Sequence, residues 1–313
     1  EVVGVKDKTA VILDSSPLYA EMGGQVGDTG ELRAGGQLWR VANTQKSGNT
    51  WLHFLGADNL KLEALPDVGS TVTLAVDENR RRAIERHHTV THLLHWALHE
   101  VVSQDATQKG SYVGPEKLTF DFSSAPLTPQ QVADVERLVN ERILENAPVA
   151  WTEVKYSSIK DNKAIMQFFG EKYGDVVRVV QIGGKPAALD GYWMELCGGT
   201  HTRATGEIGL FRIAAESAIA AGIRRIEAVS GLEAYKRANE ELQLIKAVAG
   251  KINSPVGELE KKIEALLAQQ KELEKQLKVM QQKQAAEIAR GLADKAHPFG
   301  STLAIVENLG AAD

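Results

Sequence analysis

Two stretches of the chain combine residue types able to hold a metal ion. The first is Arg86-His87-His88-Thr89-Val90-Thr91-His92-Leu93-Leu94-His95-Trp96-Ala97-Leu98-His99. On a helix, His88 and His92 fall one turn apart on one face, a spacing at which two imidazoles can share an ion. His95 and His99 extend the stripe to ~16 Å at ~1.5 Å per residue, too long for one ion to take all of it. The second stretch is Glu195-Leu196-Cys197-Gly198-Gly199-Thr200-His201. There a thiol and an imidazole bracket two glycines suited to a tight turn. Each stretch alone has a plainer reading, as core histidines and as a buried cysteine acting as a small apolar residue. Together, His88, His92, Cys197 and His201 supply nitrogen and sulfur donors of the kind zinc prefers. No carboxylate stands beside the first histidine, as it does in H-E-x-x-H peptidases. No Gly-rich loop ending in Gly-Lys-Ser/Thr offers a nucleotide phosphate site.

These residues need elements to position them. The period of Ile84, His88, Thr91, His92, His95, Leu98 and His99 predicts a helix over 81–102. Before it, short β-rich runs (Val11–Leu13, Leu38–Val41, Trp51–Leu55, Thr71–Val76) alternate with Gly, Asn and Asp, which predicts a small barrel or sandwich. After it, strands are expected at 118–122, 149–156, 176–182, 211–214 and 224–229. Thr128-Pro129-Gln130-Gln131 opens a second helix, with Thr128 as N-cap and Gln131 completing a capping box, running to about Glu145. From Leu232 the composition turns to Ala, Glu, Lys, Gln and Leu. Asn253-Ser254-Pro255 breaks one apolar stripe. Leu259, Ile263, Leu266, Leu273, Leu277 and Met280 then trace a heptad seam with Gln270 in its skipped position. The expected fold is α+β: an N-terminal β-barrel (1–80), a core with the zinc site (81–230), an antiparallel helical hairpin or coiled coil (231–295), and the start of a further domain (296–313).

Composition limits the function classes. The 313 residues carry 36 Lys plus Arg against 41 Asp plus Glu, a formal charge of −5. With 43% hydrophobic and 25% charged residues, the chain is neither disordered nor fibrous. No apolar run approaches the ~18 residues of a membrane helix, and no signal segment opens the chain. The single Cys197 cannot form an internal disulfide, which fits a reducing, cytoplasmic setting. Residue 1 is Glu, and Thr302–Val306 reads as a strand without a partner, so a piece cut from a longer protein is expected.

The motifs His88-Thr-Val-Thr-His92 and Cys197-Gly-Gly-Thr-His201 resemble the editing region of alanyl-tRNA synthetases. So do Tyr19-Ala-Glu-Met-Gly-Gly-Gln-Val-Gly-Asp28, Gln108-Lys-Gly-Ser111, Phe169-Gly-Glu-Lys-Tyr173 and Gly222-Ile-Arg-Arg-Ile-Glu227. The likeness covers nearly the whole chain in the family's order. Met22 departs from it, standing where the family usually has Ser, and Pro186–Trp193 looks like a short insertion.

The resemblance implies hydrolysis of tRNA(Ala) mischarged with serine or glycine, with Zn2+ as cofactor. ATP and Mg2+ would serve only a missing aminoacylation half, and a homodimer through the coiled coil or an absent C-terminal domain would be compatible. Thr91, between the ligands, and Gln108 are the candidate catalytic residues; Thr91 reads equally as a packing residue. Arg80, Arg81, Arg82, Lys109, Arg224 and Arg225 are candidates for tRNA phosphates, with Arg86, Lys160, Lys163 and Lys172 beside them. The rival readings are a noncatalytic tRNA-binding module with structural zinc and a standalone editing protein.

Overall fold

The computed structural model describes residues 1–56, 65–167 and 173–306. It comprises two compact units, Glu1–Ala238 and Asn239–Asp313. The first unit opens with β1 (Val2–Val5), β2 (Lys8–Val11), β3 (Gly30–Ala34), β4 (Gln37–Ser47), β5 (Thr50–Leu55) and β6 (Thr73–Val76), in one antiparallel sheet of order β1-β2-β5-β4-β3-β6. Gly35 and Gly36, with φ of 56° and 79°, make the tight turn between β3 and β4, where a side chain would be strained. Leu32, Trp39 and Val41 fill the sheet's core with Val11 and Leu18. The expected barrel does not close: β1 and β6 are the two edges of the sheet and do not pair with each other. Short strands and turn residues specify neighbouring hairpins, whereas closure depends on which distant edges meet.

The helix α1 (Glu78–Val101) follows β6, capped by Asp77, whose carboxylate accepts the Arg80 amide at 3.1 Å. Then come β7 (Gln108–Val113), β8 (Leu118–Ser123), α2 (Pro129–Leu144), β9 (Val149–Lys155), the single turn α3 (Tyr156–Ile159), β10 (Ile165–Met166), β11 (Val176–Ile182), β12 (Trp193–Leu196), β13 (Phe211–Ala220) and β14 (Ile223–Ser230). The helix α2 begins on the expected capping box of Thr128 and Gln131. Two four-stranded sheets result, β13-β14-β8-β7 and β10-β12-β11-β9. The main core joins α1, α2 and the first of these through Leu94, Leu98, Phe120, Phe122, Val139 and Phe211. Ile165, Val179, Met194 and Leu196 form a smaller core in the second sheet. Strand β12 lies between β10 and β11, so the loop after Leu196 starts from a buried, doubly paired strand.

The helix α4 (Leu232–Lys251) ends at the predicted Asn253-Ser254-Pro255 break. In the second unit α5 (Leu259–Ala293) runs for 35 residues and buries none of them. Among the described residues no helix covers the seam of α5, where Leu273 and Leu277 stay more than half exposed. A heptad pattern states that a facing helix would fit, not that the chain supplies one. The strand expected at 302–306 is not alone, since β16 (Thr302–Ala304) pairs with β15 (His297–Phe299). No described helix is long and apolar enough to cross a membrane.

Candidate metal centre

On α1, His88 and His92 project from one buried face, and the loop after β12 carries Cys197 and His201 towards them. One ligand atom from each of these four residues lies within 4.8 Å of the others. Cys197 Sγ sits 3.3 Å from both His88 Nε2 and His201 Nε2. The loop can approach so closely because residue 199 is glycine: a Cβ there would lie 1.9 Å from His88 Cε1.

Each imidazole is held by its outer nitrogen. His88 Nδ1 donates to Gln25 Oε1 at 2.6 Å, and His92 Nδ1 donates to Glu195 Oε2 at 2.6 Å. His201 Nδ1 lies 3.3 Å from the Thr89 hydroxyl. Amide and carboxylate oxygens only accept, so His88 and His92 carry their protons outward and turn Nε2 to the centre, the arrangement of metal-bound histidines. His92 Nε2 is buried without a hydrogen-bond partner in the protein. An orphaned nitrogen aimed at a thiol and two more imidazoles fits a metal ion, and three nitrogens with one sulfur fit zinc among the candidates.

Electrostatics supports this. Burial would raise the Cys197 thiol, but His88, His201 and His92 outweigh it and hold it well below its usual range. Burial, helped by His88 and His92, pushes His201 down to about 3 against the opposing pull of Cys197. Burial also opposes the charge on His92, yet Glu195 and Cys197 raise it to about 10. Burial disfavours the Glu195 carboxylate, and His92 and His95 nevertheless keep it ionised well below the ordinary carboxylate value. Cys197 and His201 are thus ready as ligands, while an ion must displace a proton from His92.

The other histidines of the stripe do different work. His87 Nδ1 donates to the Gly114 carbonyl at 2.8 Å and its Nε2 accepts the Ser230 amide at 3.0 Å, a neutral ring tying α1 to the loop after β7 and to the end of β14. His95 and His99 turn Nε2 to the Ala106 carbonyl, at 3.2 Å and 3.0 Å, and pack on Trp193.

Thr91 is buried and its hydroxyl donates to the His87 carbonyl at 2.8 Å. Gln108 lies on β7 in a cleft of about 770 Å³ walled also by His95, His99, Glu195, Lys109 and Lys163. Glu195 joins this cleft to the metal group, because one carboxylate oxygen holds His92 and the other is buried without a hydrogen bond.

Of the residues considered for tRNA, Arg81 is locked on Asp28, Arg224 on Glu216 and Arg225 on Asp121. Arg80 donates to the Gly27 carbonyl at 2.8 Å, and Arg86 to the Glu207 carbonyl at 3.0 Å. Arg82 makes an exposed pair with Glu78. Lys109, Lys160 and Lys163 are exposed, and Lys172 lies outside the described residues.

Sequence reasoning missed the outer residues Gln25, Glu195 and Thr89. Gln25 is fully buried, and besides His88 it binds Thr200 through the backbone amide at 2.9 Å and the hydroxyl at 2.9 Å. The Gly23–Gly27 segment, between β2 and β3, therefore delivers a side chain to the loop that carries Cys197 and His201. The available signal was a polar residue among glycines that permit close approach: a Cβ at Gly24 would meet Ser111, and one at Gly27 would meet Thr44. Met22 is about half exposed at the rim. The Pro186–Trp193 segment begins as a turn, in which Asp190 accepts the Lys185 amide at 2.8 Å, and leads into β12.

Comparison with known proteins agrees with these motifs. Residues 177–227 match the threonyl and alanyl tRNA synthetase second additional domain, and residues 1–80 match the class II (A) tRNA synthetases. An alanine–tRNA ligase of Akkermansia muciniphila is 49% identical over 253 residues, 79% of this chain and 26% of the relative. That of Opitutus terrae is 45% identical over 299 residues, 95% of the chain and 31% of the relative. That of Acidithiobacillus ferridurans is 41% identical over 314 residues, 98% of the chain and 34% of the relative. The chain spans about a third or less of these relatives' length, and it belongs to the alanine–tRNA ligase family.

Proposed function

We propose that the chain is the editing portion of an alanine–tRNA ligase, hydrolysing the ester of tRNA(Ala) mischarged with serine or glycine, with Zn2+ at His88, His92, Cys197 and His201. The observation that carries this reading is the convergence of those ligand atoms within 4.8 Å beside a polar cleft. A pocket for alanine gains only ~1–3 kcal/mol over glycine from one methyl and cannot strongly refuse serine, so a second, hydrolytic site is needed. Residues 81–230 are then the editing core, 1–80 a domain that supports it through Gln25, 231–295 a helical arm and 296–313 the start of a further domain.

Bound zinc would supply positive charge to anchor the substrate or to stabilise charge developing on the ester oxygen. Gln25, Glu195 and Thr89 orient the three imidazoles. Gln108 offers amide donors and acceptors to the aminoacyl group, and Lys109 and Lys163 attract the phosphates of the acceptor end. ATP, Mg2+ and alanine attachment belong to the rest of the ligase, and the setting is the cytoplasm. One observation favours a noncatalytic module instead: four protein donors make the closed coordination typical of structural zinc.

The two readings separate on purified chain incubated with seryl-tRNA(Ala) and alanyl-tRNA(Ala), with zinc and after chelation. The editing reading predicts faster loss of the seryl ester, abolished with the metal. No hydrolysis above the spontaneous rate, with unfolding on chelation, would leave the noncatalytic module. Thr91→Val removes the hydroxyl and keeps the shape. A narrowed seryl-to-alanyl ratio with zinc still bound would place Thr91 in serine recognition.

A further inference from the structure

Arg178, on β11, is bound to the metal loop at three points. Its backbone carbonyl accepts the Cys197 amide at 3.1 Å, which extends the β11–β12 ladder one residue past Leu196. Its Nε donates to the Cys197 carbonyl at 2.9 Å, and one terminal nitrogen donates to the Gly199 carbonyl. One rigid guanidinium thus spans the carbonyls on either side of Gly198. The outer face of the guanidinium lies 5.4 Å from the centre of the Trp151 ring, itself 57% exposed. A planar fork with fixed donors can hold two carbonyls at a set separation, whereas an ammonium is a single point donor.

The rest of the loop is tied from other elements. Gln25 takes the Thr200 amide, and Thr89 takes the Thr202 amide at 3.0 Å. Gln25 thereby holds the far side of the Gly199–Thr200 peptide, and Gly199 N–H donates to Cys197 Sγ at 3.4 Å within the turn, while the guanidinium of Arg178 takes both the Cys197 and the Gly199 carbonyls and so sets where the thiol points. We infer that Arg178 is the positioning residue of the metal centre: its guanidinium clamps the Cys197–Gly199 turn so that Cys197 Sγ meets the imidazoles. The inference rests on the metal reading above and adds to it a residue that touches neither metal nor substrate. Outer groups that orient ligands contribute about 10- to 100-fold to metal affinity, which sets the expected scale.

The test measures zinc affinity by chelator competition, and the Co2+ absorption of the substituted protein, in the parent, Arg178→Gln and Arg178→Lys. Arg178→Gln should bind zinc about 10- to 100-fold more weakly and show altered Co2+ bands. Arg178→Lys, with a point donor on a flexible stem, should recover part of the affinity. In chelator, the variants should unfold at the parent's urea midpoint. Parent-like affinity and spectrum in Arg178→Gln would overturn the inference while leaving the metal reading intact. So would a lowered midpoint in Arg178→Gln together with parent-like zinc binding in a folded Arg178→Lys, because the guanidinium would then only stabilise the sheet. A parent chain that binds no zinc would remove the metal reading and this inference together.

Discussion

The helices α1 and α5 are both long and both carry apolar residues at helical spacing, but they meet opposite fates. Thirteen residues of α1 are buried, including an unbroken run from His87 to Leu98. In α5, 35 residues long, none is buried. The difference lies in what faces each helix. Sheets and α2 surround α1, so even its polar side chains are enclosed, and nearly every histidine nitrogen there finds a partner. Among its buried nitrogens without a hydrogen bond are His92 Nε2, aimed at the candidate centre, and His95 Nδ1, 3.5 Å from Glu195. Periodicity describes a helix's shape; burial comes from its neighbours, and on α1 the unsatisfied buried atoms lie at the candidate centre and beside Glu195.

The largest expected effect falls in α1. Leu94 is fully buried in the main core, so Leu94→Ala should destabilise the first unit by about 2–5 kcal/mol, read as a lower urea midpoint. A loss under 1 kcal/mol would mean that α1 is less tightly enclosed than its contacts indicate.

Acid should act next, and on the first unit alone. Burial is the main cause that lowers His87 and His53, each only partly offset by a hydrogen bond to a backbone carbonyl. Their folded-state values lie below the unfolded value of about 6.5, so the unfolded chain binds more protons between the two. Their contribution is therefore complete above pH 6.5 and is lost as the pH falls through the folded-state values. Their share, read as the pH dependence that His53→Gln and His87→Gln each remove from the first unit's urea midpoint, should fall between pH 7.5 and 5.5, opposite in sign to the share of His92, whose raised value adds stability as the pH falls over that interval. The helices of residues 239–293 contain no histidine, and their far-UV signal should not change over that interval. Variants that keep the parent's full pH dependence would contradict the buried neutral rings.

The smallest effect is expected in α5. Leu273 is 56% exposed, and Leu273→Ala should shift stability by no more than about 0.5 kcal/mol. A concentration-dependent fall of several kcal/mol would instead reveal a partner helix on the seam.

The four residues of the candidate centre were legible because their signals are local. His88 and His92 lie within one helical turn and Cys197 and His201 within one loop, and the Thr128–Gln131 capping box is likewise a four-residue pattern. Strand β11 was legible from its run of β-branched residues. What stayed hidden depends on distant pairing. Whether β1 meets β6 is not written in either strand. Strand β12 is only four residues and is recognisable mainly through its partners β10 and β11. Gln25 meets Thr200 across 175 positions, and Glu195 meets His92 across 103. A polar residue bound to so distant a partner carries no periodic signal.

The central claim is that these four residues form one metal site, and counting bound zinc in the parent and its variants tests it most directly. The purified parent, titrated with zinc in weakly buffered solution near pH 7, should bind one ion per chain. Cys197→Ala and His92→Ala should lose the ion, and His99→Ala should keep it. Full zinc in Cys197→Ala, or no zinc in the parent, would contradict the account.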